Sequence, residues 1–425
     1  LHSQASNRNP GRDNTPNLDE VDGGELAANP QSKSKGLFAR REMIEGASLA
    51  ALSAAVASQA DAQQTDEGAQ RTTPSYQVGK DPGKHEPLAE FKYDLEISKG
   101  WVGAAGSAKE VTVEEFPASR NIAGVSMRLK PGGIRELHWH AIAAEWAFVI
   151  EGRVRTTVIA PNGQAATDDF EPGDIWYFPK GHGHALQCLG PEEAHFILGF
   201  DDGRFSEFGT FSITDWIAHT PPHLVTRNLG LSPNTVQNLP NKELYILPGR
   251  VPPAEPEPYL AENLETSQSA HKFRLAKMRP MEFSGGWERI VSVKEFPINT
   301  TLTSVLQHLN PGALRELHWH PNADEWQYYL RGSSRVTVFG AHGRAKTEEF
   351  GPGQVCFIQQ GFGHYVEQVG DEPTELVILF NSPVFEEISI SKWLAGNPAS
   401  LIGDNFGIAK QDVARLPKTA LGIIA

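Results

Sequence analysis

The chain is poor in sulfur, with two cysteines and four methionines in 425 residues. Two cysteines cannot build a disulfide framework, nor can they furnish a cysteine-based zinc site. A surplus of positive charge is also missing. Lys plus Arg total 38 against 52 Asp plus Glu, for a net charge of -14, and no basic cluster offers a footing for nucleic acid or an anionic membrane surface. An anionic substrate would have to be drawn in by local positive groups. Beyond one modest stretch near the N-terminus, nothing approaches the ~18 apolar residues of a membrane span. What remains is ordinary globular composition, 39% hydrophobic and 21% charged, in a chain long enough for two domains. The 40 glycines and 30 prolines, many at turn-like positions, favour an all-β protein with short connections.

Residues 1–36 are polar, lack periodicity and read as a disordered leader. Arg40-Arg41 then precede a weakly apolar stretch from Ile44 to Ala57, followed by Ala60-Asp61-Ala62 and the polar Gln63-Gln64. A basic region, an apolar core and an A-x-A cleavage site make up an export signal. Residues 37–62 resemble a twin-arginine signal, with Ala39 in place of the usual Ser or Thr and Met43 in place of Phe. The expectation is an exported bacterial protein, periplasmic or secreted.

The body of the chain is written twice. Pro131-Gly132-Gly133-Ile134-Arg135-Glu136-Leu137-His138-Trp139-His140 returns as Pro311-Gly312-Ala313-Leu314-Arg315-Glu316-Leu317-His318-Trp319-His320, an offset of 180. The offset holds from Lys92 against Lys272 to Phe200 against Phe380. Past Phe200 the first copy carries three extra residues before Ser212, and a loop lengthened in one copy is where the two can differ in function. Alternating runs such as Val111–Glu115 and Arg153–Val158 read as strands, and Asn162-Gly163 and Pro172-Gly173-Asp174 as turns. Two β-barrels or jelly rolls follow: a first domain over 63–247, then a Pro-rich linker (Pro248 to Pro258) and second domain over 248–425. Trp216 and Trp393 are expected on short helices closing each copy.

His138 and His140, two apart on a predicted strand, leave the same face. Glu145 follows after a short turn, and His184 lies 46 residues after His138. His318, His320, Glu325 and His364 repeat that spacing. Three imidazoles and a carboxylate facing into a barrel suit a divalent metal with open positions for substrate, and the lack of cysteine ligands disfavours structural zinc.

Gly-x5-His-x-His-x4-Glu-x6-Gly from Gly132 to Gly152, and the stretch from Gly173 to His184 with Pro179 and Gly183, resemble the two cupin motifs, here present twice. The strings Arg135–His140, Gly173–Pro179 and Phe200-Asp201-Asp202-Gly203 are more specific. They resemble the bicupin oxalate decarboxylases over roughly residues 87–415. The resemblance implies two tandem jelly-roll domains with short peripheral helices, Mn(II) in both, dioxygen as cofactor, conversion of oxalate to formate and CO2, and a homo-oligomer, commonly a hexamer. In that chemistry an open metal site polarises a carboxylate, Arg135 holds the substrate's remaining charge, and a carboxylate moves the proton. Ser206-Glu207-Phe208-Gly209 resembles the family's lid, with Glu207 as its acid. Phe208-Gly209 departs from the small polar residues usual there and leaves open an oxalate oxidase that yields CO2 and hydrogen peroxide. In the second copy Arg315 repeats Arg135, but Ile378 stands where the family carries a Glu and Phe385 where it carries a Tyr. One catalytic centre, in the first domain, is therefore expected, beside a second metal site that is structural or supports electron transfer. A non-enzymatic metal-binding bicupin is the alternative of another class. Trp139, Trp319 and Trp176 are candidates to line the pockets or, equally, to pack in the core, and Cys188 and Cys356 are expected as unpaired thiols without a catalytic role.

Overall fold

The computed structural model describes residues 87–261 and 270–425. The leader 1–36 and the export-signal segment 37–62 lie outside the described residues. Each copy is a sandwich of one seven-stranded and one six-stranded antiparallel sheet, as an all-β bicupin requires.

In the first copy the smaller sheet runs Phe211–Ser212, Ile134–Trp139, Gly183–Cys188, Val154–Ile159, Ala165–Phe170, with Ile246–Leu247 also on Ile134–Trp139. Its strands alternate between barrel interior and solvent. The larger sheet behaves differently. Glu145–Glu151, Ala194–Phe200 and Ala123–Leu129 are almost continuously buried, because both faces are covered. One face fills the barrel with Met127, Trp176, Phe196 and Phe200. The other meets the second copy in a shared core of Trp146, Phe148, Ile197, Trp326, Val377 and Leu379. Two glycines let the sheets approach. A Cβ on Gly124 would collide with the Trp326 ring, and one on Gly199 with the Leu379 side chain.

The copies also exchange their first strands. Lys92–Asp94 pairs with Gln354–Ile358 of the second copy (Lys92 opposite Cys356), and Lys272–Phe273 pairs with Ile175–Phe178 of the first (Lys272 opposite Trp176). Leu95 and Leu275, each in a single turn after its exchanged strand, are fully buried in the shared core. Phe91 reaches further, into the core of the second barrel.

One strand expectation is corrected. The predicted run Val111–Glu115 is strand only to Val111, within Gly106–Val111. The Thr112 amide and hydroxyl both donate to Glu115 Oε2, at 2.9 and 2.7 Å, and close a turn that β-branched propensity alone did not foretell. Trp216 and Trp393 do sit on short helices, Ile213–Ala218 and Ile390–Ala395, each capped by a serine hydroxyl. The Pro-rich linker forms no helix or strand, but Arg155 pins it through the carbonyls of Pro253 and Ala254 at 3.0 and 2.8 Å.

The shared core yields a first prediction. Leu95→Ala removes a buried side chain on the exchanged segment and should destabilise the protein by about 2–5 kcal/mol in denaturant unfolding. A loss near zero would mean that this segment does not hold the two copies together.

Candidate metal centres

His138 and His184 are cross-strand partners on Ile134–Trp139 and Gly183–Cys188, so the pairing itself brings two imidazoles together. His140 follows the first of these strands, and Glu145 opens the next. The four ligating atoms lie within 4.8 Å of one another, as do those of His318, His320, Glu325 and His364. All eight side chains are buried.

The donor chemistry fits a metal in both groups. Nδ1 of His138 faces the Glu136 carbonyl at 2.6 Å and Nδ1 of His184 faces the His182 carbonyl at 2.9 Å. The proton thus sits on Nδ1, and the Nε2 lone pairs point inward. Nε2 of His138, His140 and His184 and Oε2 of Glu145 have no hydrogen-bond partner. Four buried, unpartnered donor atoms converging on one point are costly unless a cation meets them. Burial, followed by the charge of Arg135 and the neighbouring His184, holds His138 and His140 well below the ordinary imidazole range, which keeps them neutral as ligands.

Each copy orients its ligand carboxylate differently. Trp176 donates from Nε1 to Glu145 Oε1 at 2.7 Å, which turns Oε2 toward the histidines. In the second copy Cys356 occupies that position, and Gln327 donates to Glu325 Oε1 at 2.7 Å with Tyr329 behind it. Trp139 and Trp319 are not pocket residues. They follow His138 and His318 on a strand, so they point the other way and pack on Trp216 and Trp393. Cys188 and Cys356 are buried free thiols.

Arg135 is fully buried. Its Nε donates to Glu207 Oε1 at 2.7 Å, its Nη2 to Thr210 at 2.7 Å, and its guanidinium lies 4.3 Å from the Tyr245 ring centroid. Glu207 Oε2, without a hydrogen-bond partner, lies 3.6 Å from His140 Nε2. Burial raises this carboxyl, the Arg135 charge offsets part of that, and the Glu145 charge adds a smaller push upward, leaving it at about 7. Glu110, on Gly106–Val111, latches the lid by accepting from Ser206 Oγ at 2.9 Å and from the Glu207 amide at 2.9 Å. Phe208 packs its ring against Tyr245 at 5.5 Å, so Phe208-Gly209 accompanies a lid that is shut over the centre.

In the second copy Arg315 forms an ion pair from Nε to Glu288 Oε1 at 2.8 Å, and its Nη2 donates to Glu387. His320 Nδ1 faces the Glu386 carbonyl at 2.8 Å. Ile378 and Phe385 line this pocket. Across the two copies four side chains escaped sequence reasoning: Glu110, Glu288, and Glu136 and Glu316 of the repeated string. Glu136 accepts the amides of Leu244 and Tyr245, and Glu316 those of Leu421 and Gly422, so each ties a terminal segment beneath its arginine. For Glu288 a signal existed. The 180-residue offset sets it against Ala108, an apolar position in the other copy.

Tandem jelly rolls with these two centres define a bicupin. Residues 102–237 and 273–414 match the cupin family. The chain is 40% identical over 326 residues to the oxalate decarboxylase OxdC of Bacillus subtilis, covering 77% of this chain and 84% of that protein. It is 32% identical over 354 residues to a probable oxalate decarboxylase of Arthroderma benhamiae, covering 82% and 86%. The solved structure of the Bacillus subtilis enzyme at pH 4.6 superposes with a TM-score of 0.76 at 39% identity, over 80% of this chain and 88% of that one. Another, from work on the Mn(II) centres of the same enzyme, gives 0.74 at 39% identity, over 80% and 90%. The chain belongs to the bicupin oxalate decarboxylase family.

Metal content tests the two groups directly. The purified protein should carry two manganese per chain by elemental analysis, His140→Ala or His320→Ala one each, and the double variant none. A single variant that keeps both ions would show that manganese is held elsewhere.

Proposed function

We propose that this chain is a manganese-dependent oxalate decarboxylase, which converts oxalate to formate and CO2 with dioxygen as cofactor, and that the reaction runs at the first centre. The observation that carries this placement is Glu207, an unpartnered buried carboxylate oxygen beside the histidine cluster, on a lid segment held by Arg135. Bound Mn(II) supplies Lewis-acid polarisation and one-electron chemistry at an otherwise inert C–C bond.

The protein's own groups do the rest. When the lid opens, Glu207 leaves Arg135, and the freed guanidinium holds the carboxylate of the entering mono-protonated oxalate. Closure excludes water and returns Glu207 to the site. A carboxyl near pH 7 both accepts and gives up a proton readily in this setting. Glu207 Oε2 takes the acidic proton of the substrate and later delivers a proton to the carbon left after CO2 departs. The balance is one mono-protonated oxalate to one formate and one CO2, with no net oxidation. Without that delivery the same carbon would be oxidised to CO2 and dioxygen would end as hydrogen peroxide. The second centre, lacking a carboxylate at Ile378, serves structure or electron transfer.

We further propose that residues 37–62 direct export by the twin-arginine route, on the strength of Arg40-Arg41 and Ala60-Asp61-Ala62. No described helix is long and apolar enough to cross a membrane. A homo-oligomer, a hexamer by family resemblance, is supported by Trp216 and Trp393, 66% and 59% exposed at equivalent places in the two copies.

Product ratio tests the reading. Manganese-loaded protein given oxalate in air at mildly acidic pH should yield close to one formate per oxalate and little peroxide, whereas peroxide without formate would establish the oxidase. Glu207→Gln should lower formate production by about 10²–10⁴-fold while oxalate still binds. Glu110→Ala, which loosens the latch without touching a ligand, should shift product from formate toward peroxide; an unchanged ratio would mean that lid closure does not govern the outcome.

A further inference from the structure

We infer that Glu288 is a built-in occupant of the anion subsite at the second centre, so that this centre holds metal but does not take oxalate. The inference rests on the oxalate reading of the first centre and concerns how the duplicated pocket was closed to the same substrate.

The two arginines meet carboxylates through the same atom but from different elements. Nε of Arg135 meets Glu207, carried on a single turn of the lid, at 2.7 Å. Nε of Arg315 meets Glu288, in the strand Gly286–Val291, at 2.8 Å. Glu207 can leave when its turn opens. Glu288 cannot, because its residue is paired on both sides, opposite Met281 and opposite Gln307. A carboxylate in the middle of a sheet is a permanent partner for the guanidinium.

The first copy shows what the pocket is like without it. Its equivalent cross-strand pair is Ala108 and Met127, both buried and apolar. In the second copy both members are polar, Glu288 and Gln307, and Gln307 Nε2 donates to the Glu288 carboxylate at 2.8 Å. Glu288 is thus held by a fixed amide donor and a fixed cation. Arg315 also pairs with Glu387, so the second arginine faces two carboxylates where the first faces one. Ile378, Phe380 and Phe385 line the space beside Arg315 and the ligand histidines, so its remaining walls are apolar. An oxalate anion seated against Arg315 would have to displace Glu288 and leave that buried charge unpaired, a change that is strongly unfavourable.

The test is binding rather than turnover. Manganese-loaded holoenzyme is dialysed to equilibrium against radiolabelled oxalate without dioxygen, and bound oxalate is counted per chain. One is expected for the wild type, two for Glu288→Ala, which restores the residue type of Ala108, and one for Glu387→Gln, whose carboxylate lies on a loop. In a His140→Ala background, which removes the first centre, the count should be zero with Glu288 in place and one with Glu288→Ala. Two oxalates on the wild-type chain would overturn the inference and leave the decarboxylase reading standing, without recourse to any variant. A Glu288→Ala protein that keeps two manganese but still binds one oxalate would show that Glu288 is not the occupant. No binding to any form would overturn the oxalate reading, and this inference with it.

Discussion

Each barrel is organised around a set of lone pairs that repel one another. Three imidazole nitrogens and a carboxylate oxygen converge on one spot in a buried interior, and in the first barrel all four are without a hydrogen-bond partner, a costly state away from water. Such an arrangement persists only if the scaffold is stiff enough to impose it and a cation is there to reward it. The stiffness comes from strand pairing. His138 and His184 are fixed by the ladder they share, their protons are drawn to the far side of each ring by carbonyls two residues away, and the carboxylate is turned by Trp176. The arginine and its carboxylate partner stand beside this cluster and depend on it for their purpose.

Much of this could be read before any coordinates. The 180-residue repeat, the eight ligand-type residues and the two arginines follow from pattern, because ligands and turns occupy fixed places in a repeated string, whereas Glu207 lies past the repeat and is legible only by resemblance to the family's lid. What could not be read concerns partners far apart in the chain. A repeat says that two segments are alike, not that each will join the other's sheet, so the exchange of Lys92–Asp94 and Lys272–Phe273 was invisible. Val111–Glu115 looked like strand by propensity, yet a side-chain carboxylate three residues on captured Thr112 and turned the chain. Trp176 reads from the sequence as packing or pocket lining, whereas its indole N–H orients a ligand carboxylate.

The divergence of the copies follows the same logic. Duplication preserved every ligand-type residue, because losing any one exposes the repulsion among the others. It relaxed the residues around them. The orienting donor moved from Trp176 to Gln327, and the carboxylate on the arginine moved from a lid to a strand. Those two changes leave the second pocket with a fixed electrostatic balance where the first has a switchable one. One centre opens and closes; the other is set.

The exchanged strands bear on how the chain comes off the ribosome. The edge Ile175–Phe178 of the first barrel has no partner of its own, and its complement, Lys272–Phe273, emerges about a hundred residues later. Meanwhile Phe91, Tyr93 and Leu95 must wait for a barrel that has not yet been made. The first half therefore cannot complete itself during synthesis, and its strand edge stays open to other chains in that interval. Only when the second half arrives do both close, each finished by a piece of the other. The gene encodes two barrels, but the nascent chain has to fold them as a single unit.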